Sequence, residues 1–118
     1  MFGKIIGVDK MKLVVAIVQD ADSDNLIDKI TKKNFRVTKV SSTGGFLKSG
    51  NSTILCGIED QSLDELLKII ENNCKTREII KTIQPMGIPG QALAALPVKV
   101  TVGGATVFVL EVEDFKRY

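Results

Sequence analysis

The chain has 118 residues, 44% of them hydrophobic and 25% charged, which fits one globular domain and argues against a disordered chain. Its 16 basic and 14 acidic residues leave a net charge of +2, too balanced for electrostatic binding of nucleic acid. Histidine is absent, which removes the commonest general base and the commonest zinc ligand, and no stretch approaches the ~20 apolar residues of a membrane span.

The cysteines Cys56 and Cys74 form no CxxC pair and are expected as reduced, buried thiols. With no signal peptide visible, the expected compartment is the cytosol. Residues 1–10 precede a second methionine, Met11, and stand apart as an N-terminal extension to a domain over 11–118.

From Leu13 to Val18 a continuous apolar, β-branched run predicts a strand buried on both faces. Residues 21–34 then predict a helix capped by Asp22 or Ser23, with Leu26, Ile27 and Ile30 on one face. A strand follows over 35–40, and then the glycine-hinged stretch 42–51, STGGFLKSGN, whose apolar centre needs a cover.

Residues 52–60 alternate as a half-buried strand with Ile54, Cys56 and Ile58 inward. Ser62 and Glu65 frame a capping box ahead of an amphipathic helix carrying Leu63, Leu66, Leu67, Ile70 and Cys74. Arg77 to Ile83 predicts another strand, and 84–97 a loop without a charged residue. Two final strands flank Gly103-Gly104-Ala105 and are expected to pair as a hairpin.

This order predicts an α+β, ferredoxin-like split βαβ fold, βαββαβ plus a C-terminal hairpin, with both helices on one face of an antiparallel sheet. The other sheet face would stay apolar, so a closed homo-oligomer is expected to cover it.

Several chemistries fail on the residues. Gly45 to Ser52 nearly spells a P-loop, but Asn51 stands in place of the lysine and the segment leads into a strand. No aromatic run of the RNA-binding kind occurs. The carboxylates fall on helix caps and solvated faces rather than in pairs suited to acid–base catalysis.

Asn34, Arg36 and Thr38 offer an amide, a guanidinium and a hydroxyl beside the glycine-rich stretch, with Arg36 and Thr38 on one strand face. Glycines let backbone N–H groups approach a ligand, and Phe46 with Leu47 could sandwich a flat base.

NFRVTK, TGGFLKSGNST, the following CG, PMG at the head of the long loop, and PVKVTVGGATVFVL resemble the PII-like cyclic di-AMP receptor family over nearly the whole of 11–118. The resemblance implies a non-enzymatic, homotrimeric signal-transduction protein. It would bind the bacterial second messenger cyclic di-AMP in three intersubunit clefts and change loop conformation to control an unidentified protein partner. Carried onto this chain, the ligand positions are Asn34, Arg36, Val37, Thr38, Gly45, Phe46, Leu47, Asn51 and Gly57, with Val37 contributing backbone and packing. No cofactor, metal, nucleic-acid partner or membrane span is implied.

Loop 84–97 lacks the Lys and Arg through which PII proteins of the ATP-binding kind hold a triphosphate. The chain ends Phe115-Lys116-Arg117-Tyr118 where relatives often carry an aromatic-x-Gln-Phe tail near the ligand, and Arg117 is a further candidate for a phosphate contact. The alternative reading is a PII-like module that binds ATP or AMP, or one that acts mainly through protein contacts.

Overall fold

The structure, a computed structural model, describes residues 10–41, 50–83 and 96–118. Its elements are β1 (Met11–Gln19), α1 (Asp20–Lys32), β2 (Thr38–Ser41), β3 (Asn51–Glu59), a 3-10 turn (Asp60–Ser62), α2 (Leu63–Cys74), β4 (Arg77–Ile83), β5 (Leu96–Val102) and β6 (Ala105–Val112).

β1 lies between β3 and β6, and β2 pairs on the far side of β3, giving the antiparallel order β2-β3-β1-β6. This is the split βαβ plan: β1 and β2 are joined by α1 across β3, and α2 leads from β3 toward β6 across β1. β4 and β5 form a separate two-stranded ribbon inserted before β6.

Strand alternation decides where the core sits. Val14, Ala16 and Val18 of β1 and Ile54, Cys56 and Ile58 of β3 point to the helix side. They pack on Leu26 and Ile30 of α1 and on Leu66, Ile70 and Cys74 of α2, all fully or nearly fully buried. Between the helices Asn25 Nδ2 donates to Asn73 Oδ1 at 2.9 Å.

The opposite sheet face carries Leu13, Val15 and Ile17, with Leu55, Phe108 and Leu110 in register beside them. Phe108 is 52% and Leu110 46% exposed in the single chain, so this face is apolar and uncovered by the described residues.

The structure corrects three local expectations. Residues 97–102 and 106–112 do not form a hairpin: β5 pairs with β4, and β6 pairs with β1. Gly103 and Gly104 redirect the chain between the two sheets at φ 85° and 103°, a left-handed backbone that glycine adopts freely. A Cβ at Gly103 would stand 2.5 Å from the Lys75 carbonyl oxygen, so the close approach also demands glycine. The Gly103 N–H donates to Gln19 Oε1 at 2.8 Å, tying the crossing to the end of β1.

The first helix starts at Asp20, with Gln19 in the cap position and no side-chain cap. Ser23 Oγ instead donates to the Asp20 carbonyl at 2.9 Å, and Asp22 is drawn into an ion pair with Arg77. Ser62 does occupy the cap position of α2, but its hydroxyl makes no capping hydrogen bond. The 3-10 turn holds it in a helical backbone conformation (φ −102°, ψ −1°) rather than the extended one that aims a cap side chain at the helix.

Candidate functional site

The site is built at the end of the sheet where α1 stops. Asn34 lies just beyond α1 with φ 65°, and its N–H donates to the Thr31 carbonyl at 2.8 Å. Asparagine tolerates this left-handed turn better than most residues, so it ends the helix and swings Phe35 and Arg36 onto the sheet edge. Phe35 and Val37 turn inward and pack on the core, leaving Arg36 exposed between them.

A cavity of about 700 Å³ opens here. Asn34, Phe35 and Arg36 line one side, Met11 and Leu13 of β1 with Gly57 and Glu59 of β3 the floor, and Val112, Phe115 and Arg117 the far wall. Ile58 and Ser62 complete it. The wall is mostly apolar, with guanidinium groups from two segments distant in sequence.

Gly57 faces this space opposite Leu13. A Cβ added there would meet only the Met11 methyl, at 3.9 Å, so packing within the chain does not require glycine. What the missing side chain leaves is cavity volume.

Charges around the site sort into paired and unpaired. Lys12 bonds Asp60 at 3.0 Å and Glu111 at 3.3 Å, and the hydrogen bond to Asp60, ahead of opposing desolvation, raises its pKa. Glu59 accepts from Gln61 Nε2 at 2.9 Å. Arg36 and Arg117 make no ion pair among the described residues.

The structure thus brings together Asn34, Arg36 and Gly57 of the expected set. Val37 is partly buried and packs against the core. Thr38 opens β2 opposite Leu55, on the face that continues from Arg36, and lies beyond the cavity lining. Gly45, Phe46 and Leu47 lie outside the described residues. Asn51 is described and sits apart: it starts β3 opposite Gln19, whereas Gly57 lies toward the other end. Residues 51 and 57 are about 20 Å apart at the rise of a β-strand.

Asn51 adjoins a second polar cluster. Asp20 accepts a hydrogen bond from Ser52 Oγ, and the Asp20 N–H donates to the Gly50 carbonyl at 3.0 Å. This fixes where the glycine-rich segment enters β3.

Sequence reasoning did not single out Ser62 or Glu59, which line the cavity, and named Phe115 only as part of the tail. Ser62 was absorbed by the capping pattern. Phe115 follows the last strand, where no periodicity signals an inward face.

Residues 11–118 match the sequence model of the cyclic-di-AMP receptor family. The chain belongs to that family. A crystal structure of a functionally unknown protein from Pediococcus pentosaceus shares 46% identity with this receptor-family chain, covering 94% of it and 100% of the other, at TM-score 0.76. Arabidopsis thaliana PII bound to citrate is 18% identical over 93% of this chain and 82% of its own, at TM-score 0.53. The second likeness shows a PII-like fold and nothing of the ligand.

Among the described residues of this receptor-family protein, no three His, Cys, Asp or Glu side chains gather where they could hold a metal ion. No helix among them is long and apolar enough to cross a membrane.

Proposed function

We propose that the protein is a non-enzymatic receptor for cyclic di-AMP, which binds against the Asn34–Arg36–Gly57 cavity, in clefts between subunits of a homotrimer. The observation that carries the reading is the cavity itself in a chain of this family: an apolar, partly aromatic wall, guanidiniums that make no ion pair among the described residues, and space over Gly57. Apolar and aromatic groups suit adenine faces, and a guanidinium fork matches a phosphodiester. A triphosphate would call for more cations than this wall supplies.

The distance between Asn51 and Gly57 supports an intersubunit site. Both belong to the expected ligand set, yet one chain holds them about 20 Å apart along a single strand. A compact cyclic dinucleotide that touches both kinds of residue takes them from two chains. The uncovered face of Leu13, Val15, Leu55, Phe108 and Leu110 supplies the apolar surface that such an assembly buries.

On this account, ligand seated between subunits biases the segments that frame the cleft, and those segments control a protein partner. A thermal-shift panel of cyclic di-AMP, cyclic di-GMP, ATP and AMP tests the ligand class, because a ligand that binds only the native state raises its melting temperature. Stabilisation by cyclic di-AMP alone is expected. Stabilisation by ATP or AMP in its place would favour the mononucleotide reading.

A further inference from the structure

One residue of the cavity lining carries the wrong charge for a phosphodiester. Glu59 lies two residues beyond Gly57 on the same face of β3. Its Oε2 accepts from Gln61 Nε2 at 2.9 Å, and that neutral amide leaves the carboxylate charge in place. Glu59 pairs with no cation among the described residues, since Lys12 is held by Asp60 and Glu111.

The register places this charge. Met11 stands opposite Glu59 on β1, and Val112 opposite Met11 on β6. Leu13 and Gly57 form the next row on this face, and the pairing of Thr38 with Leu55 brings Arg36 alongside that row. The carboxylate is therefore one pleat repeat, about 7 Å, along the sheet from the row of Arg36, beside the apolar groups of Met11 and Val112.

A carboxylate near a dianion weakens binding by repulsion unless the ligand offers it a hydrogen-bond donor. Phosphodiester oxygens only accept. The apolar groups that flank Glu59 suit the face of a base, and the edge of adenine carries one donor group, the N6 amine.

We infer that Glu59 is a specificity-determining residue: with a phosphodiester on Arg36, its carboxylate accepts a hydrogen bond from the N6 amine of one adenine. The cavity then reads the base as well as the phosphate. A base without that amine leaves the carboxylate against ring nitrogens that only accept. The inference rests on the cyclic di-AMP reading above and deepens it.

The test is calorimetry on the parent, Glu59→Ala and Glu59→Gln with two ligands: cyclic di-AMP, and its analogue with purine riboside in place of both adenosines. The analogue lacks the N6 amines and keeps the ring nitrogens, the ribose hydroxyls and both phosphodiesters. Glu59→Ala is expected to lose about tenfold in affinity for cyclic di-AMP and less than about threefold for the analogue. Glu59→Gln, which accepts through a neutral amide oxygen, falls between parent and alanine variant. Glu59 is exposed, so both variants are expected to melt with the parent.

Equal losses for both ligands would assign Glu59 to a ribose hydroxyl or to the fold and overturn the inference. A Glu59→Ala variant that binds cyclic di-AMP as tightly as the parent, or more tightly, overturns it too, because that is the result of repulsion alone. A parent that binds neither ligand overturns the reading beneath it, which is a distinguishable failure.

Discussion

The Asp22 carboxylate, almost fully buried in the first turn of α1, grips the Arg77 guanidinium at the start of β4 through contacts of 2.7 and 3.4 Å. Arg77 also donates to the Lys75 carbonyl at 3.1 Å. The pair fastens the β4–β5 ribbon to the main sheet layer, beside the Gln19–Gly103 bond that anchors the return crossing. The Asp22 hydrogen bond, ahead of opposing desolvation, raises the Arg77 pKa further.

Removing Arg77 is therefore worse than removing the pair, because a buried carboxylate is left without its partner. Arg77→Ala lowers the melting temperature by several degrees, and adding Asp22→Asn in that background recovers part of the loss. Thermal melts of the two single variants and the double variant check this. Equal or additive losses would assign the pair no coupling.

Gly57 gives a cleaner separation of fold from site. A methyl there meets only the Met11 side chain at ordinary contact distance, so Gly57→Ala leaves chain stability within about 1 kcal/mol by urea titration. Gly57→Val fills the cavity floor and lowers affinity for cyclic di-AMP at least about tenfold. Retained affinity in the valine variant would move the ligand away from this wall.

If the cleft draws Arg36 and Asn51 from different chains, two defective subunits can complement each other. Arg36→Ala and Asn51→Ala homo-oligomers each bind weakly. Co-refolded, they regain a fraction of tight sites, wherever an intact Arg36 faces an intact Asn51. Calorimetric stoichiometry reads that fraction, and its absence would mean that one chain supplies both groups.

Burial pushes the thiols of Cys56 and Cys74 from about 9 up to about 11, with Asp22 adding to the shift at Cys74. A thiol whose pKa is raised on folding favours the native state below its unfolded pKa. That contribution is lost as pH rises through the folded value. Stability in urea is expected to fall between pH 9 and pH 11, less so in a Cys56→Ala, Cys74→Ala variant. A native-state thiol-reagent assay at pH 8 should find both cysteines unreactive.

Much of this was legible in the sequence, for identifiable reasons. Continuous apolar runs at Val14–Val18 and alternation at Ile54, Cys56 and Ile58 mark strands whatever their partners, and the spacing of Leu66, Ile70 and Cys74 marks a helix face. Pairing was harder. Gly103-Gly104 carries a hairpin signal, yet the ladders of β4 with β5 and of β1 with β6 outcompete it, and long-range pairing leaves no mark in the local pattern. The α1 start was misplaced because Asp22 and Ser23 are good cap residues whose side chains are claimed elsewhere, by Arg77 and by the Asp20 carbonyl.

For the site, Asn34 and Arg36 were visible through the NFRVTK motif, and Gly57 only through the family resemblance. Their companions on the far wall, Phe115 and Arg117, come together with them only through the β1–β6 ladder, which carries the tail over the same end of the sheet. Asn51 looked adjacent to the same pocket in the linear motif. The register of β3 places it at the opposite end of the strand from Gly57.

The central claim is that the cavity bearing Arg36 is a cyclic di-AMP site, and titration calorimetry of the parent and Arg36→Ala with cyclic di-AMP tests it most directly. The account predicts saturable binding by the parent, and a loss of about 1.5–3 kcal/mol in the variant, roughly ten- to 150-fold, without loss of fold. A variant that binds as tightly as the parent, or a parent that gives no heat with cyclic di-AMP and binds ATP instead, would contradict it.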